Sequence, residues 1–327
     1  MPFIVRRLSF YVVAVWVAIT INFAIPRVMP GNAVDTMLAK FPQLDASSLK
    51  ALEAEFGTHS HGSLLSQYVS YLGDLAHGNL GLSVSLYPSK VSTILGQTLP
   101  WTLILVGTAT VISFVLGTLL GVIAAWRRGG WLDRALPAFM FLQATPYFFL
   151  ALIVIQLFAL QWHLLPFGQG YDLGLSPGVN WPFISSAITH SILPALTIVL
   201  TSMGGWMLQM RNMMLTTISE DYILVAQAKG LSARRVMFTY AARNAILPNI
   251  AGFALSLGFV VAGALVMEIV FSYPGVGLTL YNAVTSNDYP LLQGIFLVIS
   301  LTVLLASLLA DVIYVIADPR ARTRSAY

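Results

Sequence analysis

Six stretches of the chain are long and apolar enough to predict spanning helices. They run near Leu8–Val28, Trp101–Ala125, Ala135–Leu160, Ile184–Leu208, Ile246–Phe271 and Leu291–Ile316. Each approaches or exceeds the roughly 20 mostly apolar residues that cross a hydrocarbon layer. Between the first and second stretch lies a polar region, 30–100, too long for a simple connection. Within it LDASSLKALEAEFG has helical character: Asp45 or Ser47 can cap it, and Leu49, Leu52 and Phe56 share a face. The pattern divides the chain into a first span over 1–29, an ordered extracytoplasmic subdomain over 30–100, a transmembrane core over 101–316 and a short tail over 317–327.

Composition strengthens this reading. Of 327 residues, 57% are hydrophobic and only 9% are charged. Soluble domains carry roughly 25% charged residues, so this surface cannot face water everywhere and must face lipid. The N-terminal run MPFIVRRLSFYVVAVWVAITINFAI is too long for a signal-peptide core and has no small-residue cleavage site, so it is expected to stay as a span. There is no cysteine, which excludes disulfides and thiol chemistry.

Charge sets the orientation. With the N-terminus inside, 13 of the 17 lysines and arginines fall in inner segments; Arg27, Lys40, Lys50 and Lys90 are the outer four. That bias predicts six spans with both termini cytoplasmic. It also explains the net charge of +4 as loop bias, not as a nucleic-acid surface. Gly117 and Gly121 form a GxxxG step, which fits either close helix approach or a lipid-facing surface. Pro146, Pro194 and Pro248 lie within or at the ends of spans and predict bends.

Much of the scarce charge gathers in one inner loop, Glu220–Pro248, inside a wider inner segment 211–245. Ser219 can cap a short helix there, Glu220 and Asp221 suit its positive end, and Gly230 can stop it in a left-handed conformation. Ser232 can then start a second helix carrying Arg234, Arg235 and Arg243. A linker needs none of this. A docking element does, although an amphipathic helix lying on lipid headgroups would use the same residues.

DYILVAQAKGLSARRVMFTYAARNAILP resembles the EAA-type cytoplasmic loop of ABC importer permeases, most closely the dipeptide and oligopeptide importers. LPWTLILVGTATVISFVLGTLLGVIAAWRRGGWLDR, ATPYFF, HSILPALTI, EIVFSYPGVGLTLYNAV, NDYPLLQG and the final DPR follow that family in order and spacing. Two positions depart from it: Leu224 stands where the EAA motif has its glutamate, and PGNA replaces the usual PGDP. The resemblance implies an all-α, six-span type I permease fold with a cytoplasmic coupling helix in a bacterial inner membrane. It implies that Asp221, Tyr222, Ala226, Ala228, Lys229, Gly230, Leu231 and Ser232 dock an ATPase. The partners it implies are a second related permease, two ATPase subunits and an extracytoplasmic binding protein. ATP and magnesium would sit on the ATPases, with no cofactor on this chain.

The sequence carries no GxxxxGK[ST], HExxH or GxSxG, so ATP hydrolysis and the commonest hydrolytic sites have no basis in it. His190, Glu268 and Asp311 are the ionisable groups expected at membrane depth; each fits either a polar lining for a passing solute or a structural contact. Phe139, Phe141, Tyr147, Phe148 and Phe149 read as packing and interface anchors, and His59, His61 and His77 as surface for the binding protein more than as a metal site. The cargo stays open among peptides, nickel complexes, glutathione and oligosaccharides. A proton-coupled secondary transporter would be expected to show a buried acidic relay and internal repeats, and neither stands out.

Overall fold

The structure, a computed structural model, describes residues 2–28, 63–260 and 265–317. The helix expected near residues 44–57, His59, His61, the PGNA turn and the DPR tail lie outside them. Among the described residues every named element is helical, and the one strand-like contact is an isolated bridge between Leu82 and Lys90. In chain order the helices are α1 (Pro2–Val28), α2 (Leu64–Ala76), α3 (Val91–Trp126), α4 (Trp131–Ala144), α5 (Tyr147–Val154, continued by a π-helical stretch Ile155–Gln161), α6 (Trp181–Ile218), α7 (Asp221–Ala228), α8 (Leu247–Gly258), α9 (Leu265–Val270), α10 (Val276–Thr285) and α11 (Tyr289–Ala317). Between α7 and α8 run an α turn, Ala233–Arg235, a π-helical stretch, Val236–Ala242, and a second α turn, Arg243–Ala245.

Among the described residues three helices are long and apolar enough to cross a membrane: Val91–Trp126, Trp181–Ile218 and Tyr289–Leu309. The expected third span is a pair, α4 and α5, bent by 100° at its break. The cause is local. Pro146 has no N–H to continue the ladder, and a residue before proline is pushed out of the α region. Thr145 accordingly sits at φ −74°, ψ 129°. The expected first span contains an apolar helical stretch, Ser9–Ile25, and the expected fifth is represented by α8 and α9.

The chain divides into two compact units, Met1–Thr102 with Pro274–Leu304, and Leu103–Tyr273 with Leu305–Tyr327. In the first unit, buried Asn22 on α1 donates to the Gln293 carbonyl at 2.8 Å and to Tyr71 Oη at 3.2 Å, tying α1 to α11 and α2. Asp288, fully buried, caps α11: its Oδ1 accepts from Leu291 N at 3.1 Å. Its Oδ2 accepts from Ser83 Oγ, Ser85 N and Ser85 Oγ at 2.5, 2.8 and 2.6 Å. Thr102 Oγ1 accepts from Val276 N at the start of α10.

In the second unit α3 and α6 touch through the GxxxG step. A Cβ on Gly117 would lie 2.6 Å from Met203 O, and one on Gly121 2.5 Å from Met207 O. Hydrogen in place of a side chain lets the backbones meet, which settles the open reading of this motif in favour of helix packing. Gly204 does the same for α4, where a Cβ would lie 2.6 Å from Phe139 O. Phe114 stacks on Phe253 with ring centroids 4.3 Å apart, and Trp206 meets Phe114 edge-on at 5.3 Å. These rings join α3, α6 and α8.

Candidate functional site: a short helix seated on the ends of two spans

α6 has 38 residues. At 1.5 Å per residue that is about 57 Å, more than a hydrocarbon core of about 30 Å requires. Its last turns carry Met210 and Met214, both fully buried. They form a cluster with Val122 and Ala125 from the end of α3, Ile223 and Ala226 from α7, and Val236, Ala241 and Ala245 from the segment that follows. The core thus runs to the ends of α3 and α6 and holds α7.

The ends of α7 are made by backbone geometry. Glu220, not Ser219, takes the N-cap position, without a side-chain cap bond; its carbonyl accepts from Ile223 N at 3.0 Å. Ser219 ends α6 instead and donates its hydroxyl to Thr216 O. At the other end Gly230 N bonds Gln227 O at 2.9 Å and Leu231 N bonds Ala226 O at 3.4 Å, with Gly230 at φ +73°. This is the Schellman pattern: glycine takes the left-handed position, and the next apolar residue folds back. Leu231 packs against the same cluster. Ser232 occupies the N-cap of the following turn through its backbone alone. Asn244 Nδ2 donates to Tyr222 Oη at 3.0 Å and fixes the two sides of the loop to each other.

These constraints sort the expected docking residues. Asp221, Tyr222, Ala228, Lys229, Gly230 and Ser232 are exposed, and Leu231 is half-buried. Ala226 is only 2% exposed, so it seats the helix and offers no surface, contrary to the expectation that it forms part of the contact. The outer face instead carries Leu224 and Val225, 59% and 52% exposed. Helical spacing could have found them: once Ile223 and Ala226, three apart, face inward, the residues between them face out. Beside the loop, Arg211 Nε donates to Asp133 Oδ1 at 2.5 Å, and Gly129 N donates to the other carboxylate oxygen at 2.9 Å. This ties α6 to α4.

The three expected polar groups at membrane depth have separate settings. His190 is buried on α6, with Nδ1 2.9 Å from Ser186 O and Nε2 3.7 Å from Asp172 Oδ1. Ser186 Oγ donates to Asp172 Oδ2 at 2.6 Å, which closes that loop onto the helix. Glu268 on α9 is fully buried, and its carbonyl accepts from Tyr273 N at 2.7 Å. Tyr273 Oη lies 3.0 Å from Ser191 Oγ, next to His190. Burial raises the Tyr273 phenol above its ordinary range, and the bond to Ser191 works against that rise. Asp311 is half-buried on α11. His77 Nδ1 lies 2.7 Å from Gly73 O within its own helix end.

Long apolar helices, packed backbone to backbone and joined by a firmly seated loop, define a multi-pass membrane protein. The pattern of one family, described as "Binding-protein-dependent transport system inner membrane component", matches residues 117–323. The chain belongs to that family, and it is a multi-pass permease component of a bacterial inner membrane. It is 32% identical over 98% of its length to the "Di/tripeptide transport system permease protein DppB" of Pseudomonas aeruginosa (strain UCBPP-PA14), covering 99% of that protein. It is 31% identical to the "Dipeptide transport system permease protein DppB" of Escherichia coli (strain K12), with 98% and 99% covered. To the "Oligopeptide transport system permease protein AppB" of Bacillus subtilis (strain 168) it is 29% identical, with 97% and 98% covered.

Proposed function

We propose that this chain is the membrane-spanning permease subunit of an ATP-driven importer for di- or oligopeptides. It crosses the membrane six times with both ends and α7 in the cytoplasm, pairs with a second related permease, and receives its cargo from an extracytoplasmic binding protein. Two ATPase subunits grip α7 from below; ATP and magnesium belong to them, and this chain performs no covalent chemistry. Closure of the ATPases moves α7, and the spans respond by alternating access. His190, Glu268 and Asp311 are the polar groups placed to line or brace the path.

The observation that carries this reading is the division of α7. Ile223 and Ala226 fasten it to the span ends, while Leu224 and Val225 stand exposed, 59% and 52%, on its outer face among the described residues. The peptide cargo is supported by the names of full-length relatives. Burying a Leu or Val side chain contributes about 1.5–3 kcal/mol, so a charged replacement of both should weaken ATPase attachment well over tenfold. The test is a Leu224→Asp, Val225→Asp double variant expressed with its partners. It should insert normally, lose ATPase on purification and lose peptide uptake. Normal co-purification with normal uptake would refute the assignment of α7.

A further inference from the structure

A second feature sits on the same end of the molecule and is not used by the docking face. Ile123, Trp126 and Arg127, from the end of α3 and the residue after it, and Ala233, Arg234, Met237 and Phe238, from the segment after α7, line a cavity of about 490 Å³. Its floor is apolar: Ile123, Trp126 and Met237 are half-buried, and Phe238 is 39% exposed. Its rim carries two exposed arginines. Among the described residues neither Arg127 nor Arg234 has a side-chain hydrogen bond or ion pair, whereas nearby Arg211 is held by Asp133. In a chain with 9% charged residues, two uncommitted cations over a greasy cavity call for a ligand of matching build.

We infer that this cavity binds an anionic phospholipid, its phosphate on Arg127 and Arg234 and its upper acyl chain on Ile123, Trp126, Met237 and Phe238. Three features favour a lipid over an acidic protein segment. The cavity lies where a long apolar helix ends, at Trp126. Tryptophan concentrates at the ends of spans, where headgroups meet acyl chains. Guanidinium groups hold phosphate through paired, charge-assisted hydrogen bonds as they hold carboxylate, so the choice between the two rests on the floor. A peptide laid on this floor would desolvate its own backbone, yet beyond the arginines the lining side chains offer it only the Trp126 indole N–H. Basic pockets at the ends of spans are a recognised way to hold lipid headgroups. The inference needs the membrane placement of α3 and does not depend on the ATPase reading.

The test uses the purified full-length chain in a zwitterionic detergent, titrated with phosphatidylglycerol, phosphatidylcholine and inorganic phosphate. Bound lipid is counted by native mass spectrometry. Saturable binding of phosphatidylglycerol in preference to phosphatidylcholine is expected. Arg127→Gln or Arg234→Gln should weaken it about fivefold each, and the pair about 25-fold. Arg128→Gln, outside the lining, should leave it unchanged and so controls for general charge loss. Equal binding of both lipids would overturn the site, as would full phosphatidylglycerol binding by the double variant. Inorganic phosphate competing at equal concentration would show a phosphate site without a lipid's apolar half, and would also overturn it.

Discussion

Asp288→Ala removes one carboxylate that four groups depend on, and the structure allows its cost to be apportioned. Oδ1 caps α11 through Leu291 N, and loss of such a cap costs about 1 kcal/mol. Oδ2 serves Ser85 N and the hydroxyls of Ser83 and Ser85. The hydroxyls can turn: Ser83 Oγ lies 3.4 Å from Ser85 Oγ. The Ser85 amide cannot turn, and losing its bond to a charged acceptor in this half-buried setting costs about 1–3 kcal/mol. The expected total is about 2–4 kcal/mol. Asp288→Asn keeps the cap and rotates its amide nitrogen toward the Ser85 N–H, so it should lose only the second part and fall between wild type and alanine. Thermal unfolding in detergent gives the ranking, and hydrogen exchange at the Ser85 and Leu291 amides gives the location. The Ser85 amide should exchange at least about tenfold faster in both variants, and Leu291 faster in alanine alone. An alanine variant within about 0.5 kcal/mol of wild type, the range of an ordinary surface change, would refute the claim that this carboxylate joins the 83–85 loop to α11. A ranking with asparagine below alanine would refute it as well.

Other outcomes follow from single contacts. Gly121→Ala places a methyl 2.5 Å from Met207 O where ordinary contact begins at 3.4 Å; overpacking of this kind costs about 1–3 kcal/mol, readable as a lower melting midpoint, and an unchanged midpoint would mean the helices are not held that close. Gly230 has open space around it but φ +73°, so Gly230→Ala should cost about 1–2 kcal/mol through the backbone alone and Gly230→Asn less. Equal stability of Gly, Ala and Asn by the same melt would remove the left-handed requirement. Asp133→Ala should destabilise by about 1–2 kcal/mol through its bonds to Arg211 and Gly129. A double-mutant cycle with Arg211→Met should show coupling between the two side chains, and strict additivity would deny their pairing.

Local rules reached far into this fold, and they stop at identifiable residues. Hydropathy located α3, α6 and α11, because lipid demands long apolar runs whatever the tertiary packing. Proline at 146 marked a break, but a proline rule places the break without setting its angle, so the 100° bend was not legible. Gly230 was legible because only its own φ had to be known. Ala226 was not: small size suits close approach to a partner or to the chain's own core, and burial decides for the core. Ser219 was misplaced by one turn boundary, since α6 runs on to Ile218 and claims it. The NDYP stretch gave no hint of Ser83 and Ser85, because a contact across 203–205 positions leaves no local periodicity.

The seating of α7 bears on how a push from outside the chain would be felt within it. A loop helix joined only by its two ends would swing and dissipate movement. α7 instead shares one cluster with Val122 and Ala125 of α3 and Met210 and Met214 of α6. The two spans are themselves in backbone contact higher up, at Gly117 and Gly121. Packed interiors resist compression and rearrange between discrete arrangements instead of bending smoothly. A displacement of α7 must therefore either carry the ends of α3 and α6 together as one body or break the cluster. Under the proposed function the first is the power stroke. The glycine contact is then what keeps the two spans moving as a pair, so loosening it should uncouple transport from ATP hydrolysis before it abolishes either.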